Sequence, residues 1–212
     1  MPGPSADSAP ARPGRSPHRG ADRGGRTGPV RPATTDERQG HQDTMSGTGR
    51  PDERTLQASG LTVGIVATLW NAEFVEPMLE RAVAAVERAG AQEPTVVHVA
   101  GAVELPVVAQ ELARGHDAVV ALGAVVRGST PHFDYVCQSV TQGLTEVALR
   151  ASTPVGNGVL TCDTQEQARE RSGLPGSVED KGREAAEAAL GTALVLRGLR
   201  EDAARVHGPQ AW

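Results

Sequence analysis

The residues best suited to chemistry lie in the stretch RGSTPH, residues 127–132. An apolar run ends there, passes through Gly128, and gives way to Thr130 and Pro131, which suit the N-cap and first turn of a helix. The free amides and dipole of such a start attract a phosphate or a carboxylate. An ordinary strand-to-helix turn has the same composition, and on these residues alone the two readings are evenly matched. His132 falls in the first turn, where the positive end of the dipole disfavours imidazolium and leaves a neutral ring able to act as a base. On these residues alone a histidine that only caps the helix is the favoured reading. Cys137 is not on the same helical face, which speaks against a Cys/His nucleophile pair.

Three other places carry candidate side chains. Trp70 and Asn71 follow the apolar run LTVGIVATL, and the indole is either a surface on which a flat heterocycle stacks or an aromatic at the rim of the core. In AGAVELP, residues 100–106, a glycine, open backbone and Glu104 come together; the carboxylate can accept from a polyol or cap the helix that follows. Lys181 is the one lysine in a chain that otherwise uses arginine. It stands at a helix start, a position that disfavours a cation, so its retention points to a specific role. Arg171 ends the preceding helix, where it serves a C-terminal dipole or a phosphate equally well. His98 and His116 read as structural, and Cys137 and Cys162 as small hydrophobes in buried elements. No carboxylate pair or His/Cys/Asp cluster suggests a metal, and the glycine-rich spots match neither a Walker loop nor a dinucleotide fingerprint.

These residues must be positioned by alternating strands and helices. Residues 61–69 form a near-continuous apolar run, as in a strand covered on both faces. Phe74, Met78, Leu79, Val83 and Val86 then recur at helical spacing, with Gly90 as a cap. A strand at 95–99, a helix at 104–114, a strand at 117–126, a helix at 130–150, a strand at 155–161, and helices at 165–171 and 180–199 complete the pattern. Such alternation requires parallel pairing through right-handed crossovers, giving an α/β fold, a three-layer αβα sandwich around a four-stranded parallel sheet. Ligands in such sheets bind beyond the carboxyl ends of the strands, which selects residues 70–71, 100–104, 127–132 and 157–163.

The chain of 212 residues exceeds one domain of ordinary size. Residues 1–50 hold 8 Arg against 5 acidic residues, whereas the remainder holds 13 basic and 21 acidic residues. The first segment is rich in Pro, Gly, Arg, Ser and Thr and is expected to be a disordered, solvated extension, because it cannot bury enough surface to offset ordering entropy. Its arginines lack aromatic neighbours, so a nucleic-acid arm is disfavoured, and there is no apolar core of a secretory signal. Met45 is a candidate translation start. A domain over 55–204 with a short tail at 205–212 is expected. No apolar stretch approaches the ~20 residues of a membrane span, the acidic domain offers no basic stripe for nucleic acid, and two cysteines make no framework. A cytoplasmic protein is expected.

GAVVRGSTPHFDYVC, residues 123–137, resembles the signature of the lumazine synthase family, supported in order by GIVATLWN, GAVELP, NGVLTCDTQEQA and EDKG. The resemblance covers roughly residues 59–200, and a match in several ordered segments is far more specific than any single motif. It implies a flavodoxin-like sandwich that joins 5-amino-6-(D-ribitylamino)uracil to 3,4-dihydroxy-2-butanone 4-phosphate, with no cofactor or metal. It further implies that Trp70, with Asn71 beside it, stacks on the pyrimidine and that backbone at Val125 and Val126 holds its polar edge. Ala102, Val103 and Glu104 then line the ribityl chain with Asn157 from a neighbouring subunit. Gly128, Ser129 and Thr130 cradle the phosphate, Arg171 from the neighbour pairs with it, and Lys181 stands nearby. His132 takes the general acid/base role.

Two departures from the commonest family pattern matter. Trp70 and Asn157 stand where many members have Phe, which bears on substrate affinity rather than on reaction type. The loop at 172–180 is longer than in members that form icosahedral shells and resembles that of simple pentamers, so a homopentamer with sites at its subunit interfaces is expected. A lumazine- or flavin-binding pentamer that serves as a carrier without turnover is the alternative, and an intact His132 argues against it.

Overall fold

The computed structural model of the chain describes residues 56–207. The extension over residues 1–50, Met45 and the last residues of the tail lie outside it. Four strands, β1 (Val63–Thr68), β2 (Thr95–Val99), β3 (Ala118–Val126) and β4 (Val155–Cys162), form one sheet in the order β2-β1-β3-β4, with every neighbouring pair parallel. Parallel pairing forces each connection to cross a face of the sheet. The helices are α1 (Ala72–Arg88), α2 (Leu105–Leu112, preceded by a 3-10 turn at Ala102–Glu104), α3 (His132–Ala151), α4 (Gln165–Arg169) and α5 (Lys181–His207). This is the expected three-layer α/β sandwich.

Alternation along the central strands builds two cores. Val63, Ile65, Ala67, Val120, Leu122 and Ala124 point toward α1 and α5 and pack with Phe74, Met78, Val86 and Leu190. Val66, Val119 and Ala121 point the other way and pack with Leu105, Ala109, Val140 and Leu144 of α2 and α3. Because β1 and β3 bury both faces, their sequences read as continuous apolar runs, whereas the edge strand β2 has no buried residue and leaves Thr95, Val96 and His98 exposed. On the first face α5 packs through backbone against both its neighbours: a Cβ on Gly182 would overlap the Met78 carbonyl of α1, and one on Gly156 of β4 the Ala185 carbonyl.

Most element ends shift by one or two residues from the sequence reading, and two helix ends and one burial deserve a physical account. The helix expected from Thr130 begins at His132, with Pro131 rather than Thr130 at the N-cap position and no side-chain cap. Pro131 accepts the Asp134 amide at 3.1 Å, so the first bond is made to the proline carbonyl and the threonine stays in the preceding turn. Cys137 is half-buried, not buried, while Cys162 is buried as expected. Finally, α5 runs to His207 instead of ending near Leu199. Its last turns are exposed and carried by Arg205 pairing with Glu201 and Asp202 at 3.9 and 3.2 Å, a pattern of charges rather than of apolar residues.

Candidate functional site

The strand order reverses direction between β1 and β3, so the carboxyl ends of these two strands flank a crevice. Trp70 and Asn71 follow β1 on one side, and residues 127–132 follow β3 on the other. The crevice is pinned by Asn71, whose Nδ2 donates to the Ala124 carbonyl at 2.7 Å. Asn71 adopts φ 57°, a left-handed conformation that asparagine tolerates better than most residues, and this turns the chain directly from strand into α1. Trp70 is held by backbone alone, its amide donating to the Ala100 carbonyl at 3.2 Å and its carbonyl accepting the Thr68 hydroxyl at 3.2 Å. Trp70 as a residue is 73% exposed. A tryptophan left bare at a strand end beside a crevice is available to a flat ligand.

On the β2 side, Ala102 and Glu104 are half-buried and Val103 is exposed. Glu104 turns back on its own loop, accepting the Gly101 amide at 2.9 Å. That bond fixes the loop at the rim and leaves lone pairs of the carboxylate free to accept further donors. Across the crevice Val125 and Val126 are half-buried, and Gly128, Ser129, Thr130 and His132 are exposed in sequence. This segment precedes a helix of 20 residues, so its amides lie at the positive end of a long dipole.

Arg127, which the sequence reading did not single out, organises this loop. Its Nε donates to Asp163 at 2.6 Å and its two terminal nitrogens to Asp134 at 3.3 and 3.0 Å. The guanidinium also lies 4.1 Å from the centroid of the Phe133 ring. Hydrogen bonds to Asp134 and Asp163 push its pKa above the ordinary arginine value, so the charge is permanent. The end of β4, the end of β3 and the first turn of α3 are thereby tied together around His132. The clue was an arginine at a strand end with an aspartate in the next helix's first turn, but Asp163 is distant in sequence.

The remaining candidates lie elsewhere. Asn157 pairs with Ala121 in the sheet, whereas the rim is level with the Val126–Cys162 pair. Five residues of strand separate the two levels, roughly 16 Å. Its side chain is exposed, and Oδ1 accepts the Val159 amide at 3.0 Å. Arg171 follows α4 and Lys181 opens α5, in a loop whose two arms run antiparallel, with a bridge between Ser172 and Asp180 and the Lys181 amide donating to the Arg171 carbonyl at 3.0 Å. Arg171 donates to the Gln167 carbonyl at 2.9 Å, and Lys181 pairs with Glu179 at 2.7 Å and Glu184 at 2.9 Å. Partial burial works against the charge on Lys181, but the bonds to Glu179 and Glu184 outweigh it and raise its pKa. The structure therefore gathers Trp70, Asn71, Ala102, Val103, Glu104, Val125, Val126, Gly128, Ser129, Thr130 and His132 at one rim. Asn157, Arg171 and Lys181 line β4 and the segments that follow it.

The other titratable residues behave as structure. His116 bonds the Leu112 carbonyl at 2.8 Å and the Thr95 hydroxyl at 3.0 Å, and His98 pairs with Glu76 at 3.6 Å. Burial raises the thiol pKa of both Cys137 and Cys162, which suits small hydrophobes. Among the described residues, no helix is long and apolar enough to cross a membrane.

Comparison with known proteins identifies the family. The family described as 6,7-dimethyl-8-ribityllumazine synthase matches residues 60–197. A protein of that name from Thermobifida fusca is 76% identical over 157 residues, covering 74% of this chain and 92% of the relative. One from Saccharopolyspora erythraea is 64% identical over 156 residues, covering 74% of this chain and 94% of the relative. One from Mycobacterium leprae is 60% identical over 154 residues, covering 73% of this chain and 96% of the relative. The chain belongs to the 6,7-dimethyl-8-ribityllumazine synthase family, transferases of riboflavin biosynthesis.

Proposed function

We propose that this chain condenses 5-amino-6-(D-ribitylamino)uracil with 3,4-dihydroxy-2-butanone 4-phosphate in the cytoplasm, at sites shared between neighbouring subunits of a homopentamer. The ring amine attacks the ketone and water leaves as an imine forms. Phosphate is then expelled from the enolised chain, and the ribitylamino nitrogen closes the second ring with loss of water, giving 6,7-dimethyl-8-ribityllumazine. Trp70 stacks on the pyrimidine, backbone at Val125 and Val126 holds its edge, and Ala102, Val103 and Glu104 line the ribityl chain. Gly128, Ser129 and Thr130 cradle the phosphate at the start of α3. His132 moves the protons that each step requires. Asn157, Arg171 and Lys181 serve the site of the adjacent subunit.

One observation carries the shared-site reading: Asn157 lies five strand residues below the rim, roughly 16 Å away, too far for an asparagine to serve a ligand at that rim within one chain. The open rim around Trp70 and the solvent-facing His132 suit a site that a second subunit completes. Mixing the two substrates with purified protein and following the absorbance and fluorescence of the lumazine tests the activity. A carrier would bind the product and form none.

A further inference from the structure

Glu179 is a buried carboxylate with no part in the chemistry above. Its side chain is 5% exposed, with Oε2 paired to the Lys181 ammonium at 2.7 Å and Oε1 facing the Arg171 Nε at 4.0 Å. Enclosing a carboxylate this deeply costs several kcal/mol of hydration, which opposing cations must offset. Its place in the loop does not depend on the carboxylate. The Glu179 amide donates to the Glu170 carbonyl at 3.0 Å, and its own carbonyl accepts the Gly173 amide at 3.2 Å. Any side chain can make those two bonds, and an apolar one would do so without the loss of hydration. The loop is anchored independently as well: Arg81 on α1 grips Asp180 at 2.6 Å, and Asp180 caps α5 by accepting the Arg183 amide at 3.0 Å.

The carboxylate, unlike the backbone, faces two cations. Arg171 and Lys181 stand on opposite arms of the antiparallel loop; Glu179 pairs closely with Lys181 and faces Arg171 at 4.0 Å, while Glu170 lies 3.6 Å from another nitrogen of the same guanidinium. Lysine has a long, flexible stem with considerable rotamer entropy, so an anchor in the free protein removes ordering that ligand binding would otherwise have to supply. We propose that Glu179 is a positioning residue for the phosphate-bearing substrate, setting the Lys181 ammonium and the Arg171 guanidinium in place as a pair. This rests on the reading of Arg171 and Lys181 as the phosphate-binding cations.

The test is steady-state kinetics of the full-length enzyme with both substrates, with inorganic phosphate as competing ligand, for Glu179→Gln, Glu179→Asp and Arg171→Ala. Glu179→Gln keeps shape and removes charge, and should raise the KM for the butanone phosphate and the inhibition constant of phosphate about tenfold. The KM for the pyrimidine and kcat should stay within about twofold of the wild type. Glu179→Asp, charged but shorter, should fall between and keeps the test alive if the glutamine variant does not fold. Unchanged or tighter phosphate binding in both Glu179 variants, with Arg171→Ala impaired, would overturn the proposal alone and make the carboxylate a competitor or a filler. Constants for both substrates rising together with a lower melting temperature would overturn it in favour of a purely structural role. Wild-type phosphate binding in Arg171→Ala would remove the phosphate-site reading, and this proposal with it.

Discussion

Arg127 donates to both carboxylate oxygens of Asp134, at 3.3 and 3.0 Å, and so clamps the first turn of α3 to the end of β3. Both partners are substantially exposed, so the pair contributes little to stability. Its effect is on geometry. Arg127→Ala is expected to leave the melting temperature within about 2 °C and to lower kcat by roughly ten- to a hundredfold, because small misplacements of reacting groups are costly. Asp134→Ala should do the same in part, and the double variant should be no worse than Arg127→Ala. Steady-state kinetics of the cycle checks this, and additive losses would show that the clamp is not the unit.

His132 opens α3 on the solvent side of the rim. His132→Ala is expected to lower kcat by roughly 10²- to 10⁴-fold, the usual worth of a general acid/base, with pyrimidine affinity nearly intact. Stopped-flow turnover and equilibrium titration of the pyrimidine separate the two effects. Full turnover in the variant would remove the proton-transfer role.

Lys181→Met removes the cation that stands 2.7 Å from the buried Glu179 carboxylate, while the Arg171 guanidinium remains at 4.0 Å. Breaking a buried pair from one side costs about 3 kcal/mol, which lowers the melting temperature by roughly 6–12 °C for a domain of this size. Adding Glu179→Leu should recover most of that loss. The folded pKa of Lys181 lies above its ordinary 10.5, so the stability it supplies is complete below pH 10.5 and fades as pH rises through the folded value. The gap between wild type and Lys181→Met should therefore be flat through neutral pH and narrow above 10.5, as thermal melts against pH will show.

A site divided between Trp70, Glu104 and His132 on one subunit and Asn157 and Arg171 on the next can be rebuilt from two defective parents. A ring joins one face of each subunit to the opposite face of its neighbour. When His132→Ala and Arg171→Ala chains are unfolded together in equal amounts and refolded as mixed rings, about a quarter of the interfaces should pair two intact faces, by random order around the ring. Activity should rise well above that of either parent. Verified mixed rings that stay at the parental average would place the whole site in one subunit.

Most of the fold was legible in the sequence because the central strands are apolar on both faces and the helices carry spaced apolar residues. β2 was read residue for residue as Thr95–Val99, and the rim segments at 70–71, 100–104 and 127–132 followed from the strand ends, whereas 157–163 lies mostly within β4. What escaped was set by long-range contact or by charge. Arg127 reads as a surface arginine until Asp163, on another strand's end, is brought to it. Glu179 reads as one of many acidic residues, because its burial arises only when the loop closes. Asn157 opened the segment chosen at the end of the fourth strand, but its role came from the family resemblance, and the structure places it within β4. Thr130 looked like the cap because threonine favours that position, but the proline after it took the place.

The loop between Arg171 and Lys181 has a paired base and, at its tip, a turn with room at Gly176. Its arms are paired, and directly beyond them Gly182 rests on the Met78 carbonyl, so nothing as large as a methyl group can lift the end of α5 away from α1. Gly176, by contrast, has φ +87° with open space where a side chain would stand. Extra residues inserted at Gly176 would be taken up by the tip, leaving the two cations at the base undisturbed. For anyone grafting a tag, a reporter or a foreign epitope onto this protein, Gly176 is the permissive position and Gly182 the forbidden one.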